Sequence, residues 1–186
     1  MEAIKKIELN KIAKVISIAV LGTLLLTISA KIKIPFYPVP MTMQTFVVLF
    51  LGITLGPRIG LLTISLYLFE GIFGLPVFAG TPEKGIGLVY FTGPTMGYLI
   101  GFLVAVYFSG SFKYDKGLIN TLLKLIFSVS FIYIFGLIWL GTLIGWDKPI
   151  FKLGAQPFLL AELFKMLLLL FLTPALLKAK KLIKVT

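Results

Sequence analysis

The chain has 186 residues, 59% of them hydrophobic and 13% charged, with a mean hydropathy of +1.05, against about 45–50% apolar and 25% charged in ordinary soluble domains. That excludes a water-facing globular surface and predicts one all-α integral membrane domain over 1–186, since no polar or low-complexity stretch is long enough to link two domains. Cysteine and histidine are absent and the net charge is +11, which excludes disulfides, thiolate metal sites and the common nucleophile–histidine systems.

The basic residues flank apolar runs instead of forming a soluble stripe, so the charge points to membrane topology and not to nucleic acid. The first predicted helix covers 13–30. Lys5, Lys6, Lys11 and Lys14 before it, with Ser29 and Ala30 at its end, also mimic a secretory signal; the later runs are equally apolar, which favours a retained helix. Its small residues at spacing four, Ala13 with Ser17 and Ala19 with Thr23, permit close helix approach; packing within the chain is the default reading, and a docking face for a partner membrane protein the alternative.

Further helices are predicted over 43–55, 59–73, 94–108, 121–143 and 158–177, a six-helix transmembrane bundle. A crossing needs about 20 residues at about 1.5 Å each, so the second, third and fourth are short. Gly56-Pro57-Arg58 breaks the second from the third, either as an ordinary turn or as the tip of a re-entrant hairpin.

Counting Lys and Arg on alternate sides sets the orientation. Twelve fall on the side of the N-terminus, five (Lys31, Lys33, Lys84, Lys148 and Lys152) on the other, and Lys165 lies within a helix. Both termini are therefore expected in the cytoplasm. The outer connections, loops one (31–42), three (75–93) and five (145–157), are long and rich in Pro, Gly and aromatic residues. Such segments can close over a ligand, so the outer side is the expected place for a site.

Glu162 and Lys165 share one face of the otherwise apolar last helix. A charge at a helix centre costs at least about 2.5–3.5 kcal/mol, so both are expected to face the bundle interior and to satisfy each other or a polar ligand. They lie about 6 and 10 Å along the helix from Phe158, beneath the outer loops. A carboxylate accepts from N–H groups and an ammonium donates to oxygen, so a ligand carrying both fits; an ion pair that fixes packing is the alternative. Glu70 is read as a helix-end carboxylate reaching water, Lys31 and Lys33 as cations snorkelling at the outer interface. Phe36, Tyr37, Phe78, Tyr90 and Phe91 are read as an interfacial belt or as walls for a flat ring. There is no phosphate-binding Gly-x-x-x-x-Gly-Lys-Ser/Thr run, so ATP hydrolysis, if it drives transport, belongs to another chain.

The string Ile34-Pro-Phe-Tyr-Pro-Val-Pro-Met-Thr-Met-Gln-Thr45 resembles the first-loop motif of the BioY family, the biotin-specific S components of energy-coupling-factor (ECF) transporters. Leu55-Gly-Pro-Arg-Ile-Gly60, Gly74-Leu-Pro-Val-Phe-Ala-Gly80 and Gly93-Pro-Thr-Met-Gly-Tyr-Leu-Ile-Gly101 resemble its later motifs in the same order. The resemblance implies a substrate-binding subunit in a bacterial or archaeal cell membrane, with biotin as transported ligand and no cofactor. It further implies that a transmembrane (T) subunit and ATPase subunits are its partners, and that loops one and three close over the ligand. It assigns Glu162 and Lys165 to the ligand, with Pro38, Thr42, Gln44, Val77, Phe78 and Ala79 as lining residues; the family usually has Asp where this chain has Glu162. Another vitamin, a solitary ion-coupled carrier and a small membrane enzyme are the competing readings.

Overall fold

A computed structural model describes residues 2–34 and 37–183, with side chains over 9–34 and 37–182. Helix α1 (Glu2–Lys31) leads into a two-stranded antiparallel ribbon, β1 (Lys33–Ile34) and β2 (Met41–Thr42). Helix α2 (Gln44–Ile72) is followed by a 3₁₀ turn (Gly87–Thr92), α3 (Met96–Ser111), α4 (Gly117–Ile144), the short α5 (Ile150–Gly154), a second 3₁₀ turn (Gln156–Phe158) and α6 (Leu159–Ile183). The ribbon, in register Lys33 to Thr42 and Ile34 to Met41, departs from the all-helical expectation.

Most helices outrun the apolar stretches that predicted them. Hydrophobicity marks the part suited to hydrocarbon, whereas Lys, Glu and Leu outside it are good helix formers and continue the helix. So α1 begins at Glu2, α4 at Gly117, and α6 runs to Ile183. Helix α3 starts later than expected, at Met96, after Gly93-Pro94 has formed a turn.

Residues 44–72 are apolar throughout but do not form one rod. Gly56 has φ 79° and ψ 175°, a conformation open essentially to glycine alone, and Pro57 follows as the first residue of the second arm. The chain folds back there. Gln44 Nε2 donates to Tyr67 Oη at 2.9 Å, although a straight helix would part these residues by about 35 Å. Gly52 and Gly60 face each other so closely that a Cβ on Gly60 would sit 3.7 Å from the Gly52 Cα. Among the described residues, four segments are long and apolar enough to cross a membrane, Leu9–Lys31, Gln44–Ile72, Gly117–Ile144 and Ile150–Leu182, and the second of them is this hairpin. Its arms reach about 18 and 24 Å.

A Cβ on Gly56 would meet nothing closer than the Lys180 side chain at 3.8 Å, so an alanine there tests backbone conformation alone. Gly56→Ala is expected to destabilise the protein by about 1–2 kcal/mol, read as a lower midpoint of thermal unfolding in detergent; an unchanged midpoint would show that this conformation is not required.

The hairpin forms the centre of the bundle. It packs against α1, α3 and α6, while α3 packs on α4. Gly22 of α1 sits against Thr63, Gly52 against Ser109, and Gly110 against the Gly56-Pro57 backbone. These small residues bring backbones together where van der Waals packing is the main attraction between helices in lipid. The long connections all gather at the end of the bundle opposite Gly56.

Candidate functional site

The first two turns of α6 bring Glu162 and Lys165 into the interior at 4% and 8% exposure, three residues apart on one face. Lys165 Nζ lies 2.7 Å from Glu162 Oε1, and donates also to Thr42 O at 2.6 Å and Thr45 Oγ1 at 3.0 Å. An ammonium has three protons, and all three have acceptors. Thr45 Oγ1 in turn donates to Glu162 Oε1 at 2.8 Å. The predicted pair is thus the centre of a four-residue cluster that ties α6 to β2 and to the start of α2. Completed hydrogen bonds of this kind make the burial of two charges tolerable.

Glu162 also forms part of the wall of a narrow cavity of about 50 Å³ between α2, α3, α4 and α6. Tyr90, Tyr98, Phe102, Tyr133 and Phe158 supply aromatic surface around it, and Thr42, Gln44 and Ala79 of the predicted set line it too. Thr45, Tyr98, Phe102, Tyr133 and Phe158 were not among the residues expected from sequence. The available signal was polarity inside an apolar helix, a Thr one residue into α2, a Tyr in the first turn of α3 and another in the middle of α4, but it carries no direction.

The remaining predicted residues sit behind the wall. Pro38 is buried next to Val39 and Pro40, which do line the cavity. Val77 and Phe78, both in loop three, are buried, and the Phe78 ring stacks on Tyr90 at 4.7 Å and meets Tyr67 edge-on at 5.2 Å. Gly71 makes room for that ring, since a Cβ there would lie 2.0 Å from it. Lys165 does not reach the cavity. Residues three apart on a helix point about 60° apart, and the Thr42–Thr45 segment fills the difference, so Glu162 faces inward while Lys165 lies on the other side of the cluster.

Loop three (75–93) is pinned at several backbone carbonyls. Tyr67 Oη donates to Val77 O at 2.9 Å and Tyr90 Oη to Ala79 O at 2.8 Å. Burial raises the pKa of the Tyr90 hydroxyl, which keeps it a neutral donor. Lys31 Nζ donates to Phe78 O, Thr81 O and Thr81 Oγ1, each at 3.1 Å. Lys31 is therefore a clasp between α1 and this loop and not the free snorkelling cation expected. Glu70 is likewise only partly exposed and accepts a hydrogen bond from Thr23 Oγ1 at 2.9 Å, so it does more than reach water.

Tyr37 is 91% exposed and forms no wall, and Phe91 packs edge-on against Phe78 at 5.4 Å. Phe36 lies outside the described residues. On α1, Ala19 and Thr23 face inward and are buried, whereas Ala13 and Ser17 are exposed. One of the two small-residue pairs is thus used for intramolecular packing.

The family described as the BioY family matches residues 3–182. A probable biotin transporter BioY of Pyrococcus horikoshii is 36% identical over 153 residues, which covers 82% of this chain and 90% of that protein. The biotin transporter BioY of Thermotoga maritima is 33% identical over 145 residues, 77% of this chain and 84% of the other. The biotin transporter BioY2 of Lactococcus lactis subsp. cremoris is 30% identical over 168 residues, 88% and 90% of the two chains. The crystal structure of the S-component for biotin from an ECF-type ABC transporter superposes with a TM-score of 0.75 at 25% identity, covering 91% of this chain and 93% of that one.

Proposed function

This chain belongs to the BioY family, and from that premise we propose that it is a biotin-recognising subunit of an ECF-type importer. Membership places it among transport proteins and not among enzymes. As a multi-pass protein of a bacterial or archaeal cell membrane, it forms one domain of six crossings, with each arm of the 44–72 hairpin counted as one. Both termini lie in the cytoplasm, and the loop-rich end with its cavity faces outward. A T subunit and ATPase subunits supply the energy, and the exposed Ala13 and Ser17 belong to the face of α1 available to them.

The observation that carries the reading is a buried carboxylate, held by Lys165 and Thr45, on the wall of an aromatic cavity. A fused bicyclic urea, with a near-planar ureido ring on an apolar second ring, suits that combination. Its N–H groups donate to Glu162 and its apolar faces lie against Tyr90, Tyr98, Phe102 and Tyr133. Lys165 acts through the cluster, holding the Glu162 carboxylate in place, while Thr42 and Gln44 add polar groups to the wall.

Ligand sites generally run to about 300–1,000 Å³, so a cavity of about 50 Å³ has to widen on binding. Loops one and three lie over it, through Val39, Pro40 and Ala79, and loop three is held by Lys31, Tyr67 and Tyr90. Lys31→Met removes one of these clasps without touching the cavity. It is expected to speed biotin dissociation about five- to tenfold, since hydrogen bonds from a partly exposed charged group contribute about 1 kcal/mol. Filter-binding chase kinetics would show this; an unchanged off-rate would mean that the loop does not gate release.

The test of the function is equilibrium binding of labelled biotin to the purified chain, with riboflavin and thiamine as competitors. Binding that unlabelled biotin displaces and the other two do not is the expected result. Folded protein that binds no biotin would overturn the assignment, and displacement by another vitamin would replace the ligand.

A further inference from the structure

A second cavity, of about 400 Å³, lies beyond the ribbon between β1, β2 and α6, and Met41 and Thr42 line both it and the aromatic cavity. Its walls are Ile32, Ile34, Met43, Phe164 and Leu168, with Lys33 and Lys165 as its charged residues and no acid among its lining. Phe164 and Ile32 are 64% and 59% exposed, so the groove opens to the outside of the bundle. In a membrane the outside is lipid, and an apolar groove of this size facing it is filled by hydrocarbon.

The two cations are not equivalent. Lys165 has all three of its protons committed inside the cluster. Lys33 is exposed at the end of the groove nearest the loops and makes no side-chain hydrogen bond or ion pair among the described residues. The site therefore presents a hydrocarbon-lined trough beneath one uncommitted ammonium, at the level where α1 leaves the bilayer.

We propose that this groove is a binding site for an anionic phospholipid, its acyl chain lying along Ile34, Phe164 and Leu168 and its phosphate pairing with Lys33. Charge selects an anionic headgroup over a zwitterionic one, because Lys33 is the uncommitted charge of the lining, Lys165 being already paired with Glu162 behind it. The remaining lining is apolar apart from Thr42, whose carbonyl already accepts from Lys165, which suits an alkyl chain and not a ligand rich in N–H groups. The bound lipid would rest against β2, so it buttresses the strand whose other side lines the aromatic cavity.

The experiment is native mass spectrometry of the full purified chain in detergent, titrated with dioleoylphosphatidylglycerol or dioleoylphosphatidylcholine. The expected result is one tightly retained phosphatidylglycerol, with phosphatidylcholine retained more weakly. Lys33→Gln should weaken phosphatidylglycerol about fivefold and leave phosphatidylcholine unchanged, the effect of one basic residue at a membrane surface. Leu168→Trp, which fills the groove from a lipid-facing position, should weaken both. Equal retention of the two lipids by the unaltered chain would overturn the proposal. So would an anionic preference that survives Lys33→Gln, because the lipid would then sit elsewhere.

Discussion

Glu162→Ala is expected to lower biotin affinity by at least about 100-fold and to destabilise the unliganded protein by about 3–5 kcal/mol. The stability loss arises because Lys165, buried at 8% exposure, would lose its counter-ion, and removing one partner of a buried pair costs that much. The affinity loss arises because charge-assisted hydrogen bonds from ligand N–H groups contribute about 1.5–3 kcal/mol each. Replacing both members, Glu162→Leu with Lys165→Met, separates the two effects. Well-packed apolar residues remove the burial problem, so the double variant should recover most of the lost thermal stability and none of the binding. Isothermal binding and thermal unfolding on the same preparations give both readouts. A double variant that still bound biotin would remove the cluster from the site.

A similar loss is expected where α3 meets α4. A Cβ on Gly97 would lie 2.4 Å from Phe135 O and from Trp139 Cβ, and one on Gly101 would lie 2.6 Å from Ile132 Cα. Several of these neighbours are backbone atoms and cannot step aside, so Gly97→Val or Gly101→Val must part the helices. Overpacking of this kind costs about 1–3 kcal/mol, more where backbone is hit; about 3 kcal/mol or above is expected for Gly97→Val. The same displacement separates Tyr98 and Phe102 on α3 from Tyr133 on α4, three residues of the aromatic wall, so biotin binding should fall with stability. Phe171→Leu, at a position 73% exposed toward the lipid, is the control and should stay within about 0.5 kcal/mol. Thermal unfolding in detergent distinguishes them; a Gly97→Val variant as stable as the control would mean that the helices are not packed at these glycines.

Much of this was legible without coordinates because the energies involved are large and local. A chain so apolar can satisfy its backbone in lipid only as helices or a closed barrel, and its runs are of helical length. Gly56-Pro57 announces a break wherever the surrounding bundle places it, because the chemistry of that dipeptide is intrinsic. Glu162 and Lys165 had to turn inward, since two adjacent charges in an apolar helix have no cheaper arrangement. The string from Ile34 to Thr45 carried the family.

What the tertiary structure decided is direction. In a membrane, hydropathy separates polar from apolar but not lipid-facing from protein-facing, because the two environments are equally apolar. The apolar windows of α1 and α2 read alike, yet 28% of the first and 61% of the second is buried. For the same reason nothing in the chain alone placed Thr45 beside Glu162, turned Tyr98 and Tyr133 toward a common cavity, or sent Lys31 across to the third loop. The pairing of Gln44 with Tyr67 across the Gly56 turn, and the docking of the ribbon on Lys165, depend on contacts between segments far apart in sequence. Composition determined the solvent, the helices and the charged pair; packing between those helices decided which side chains share a site.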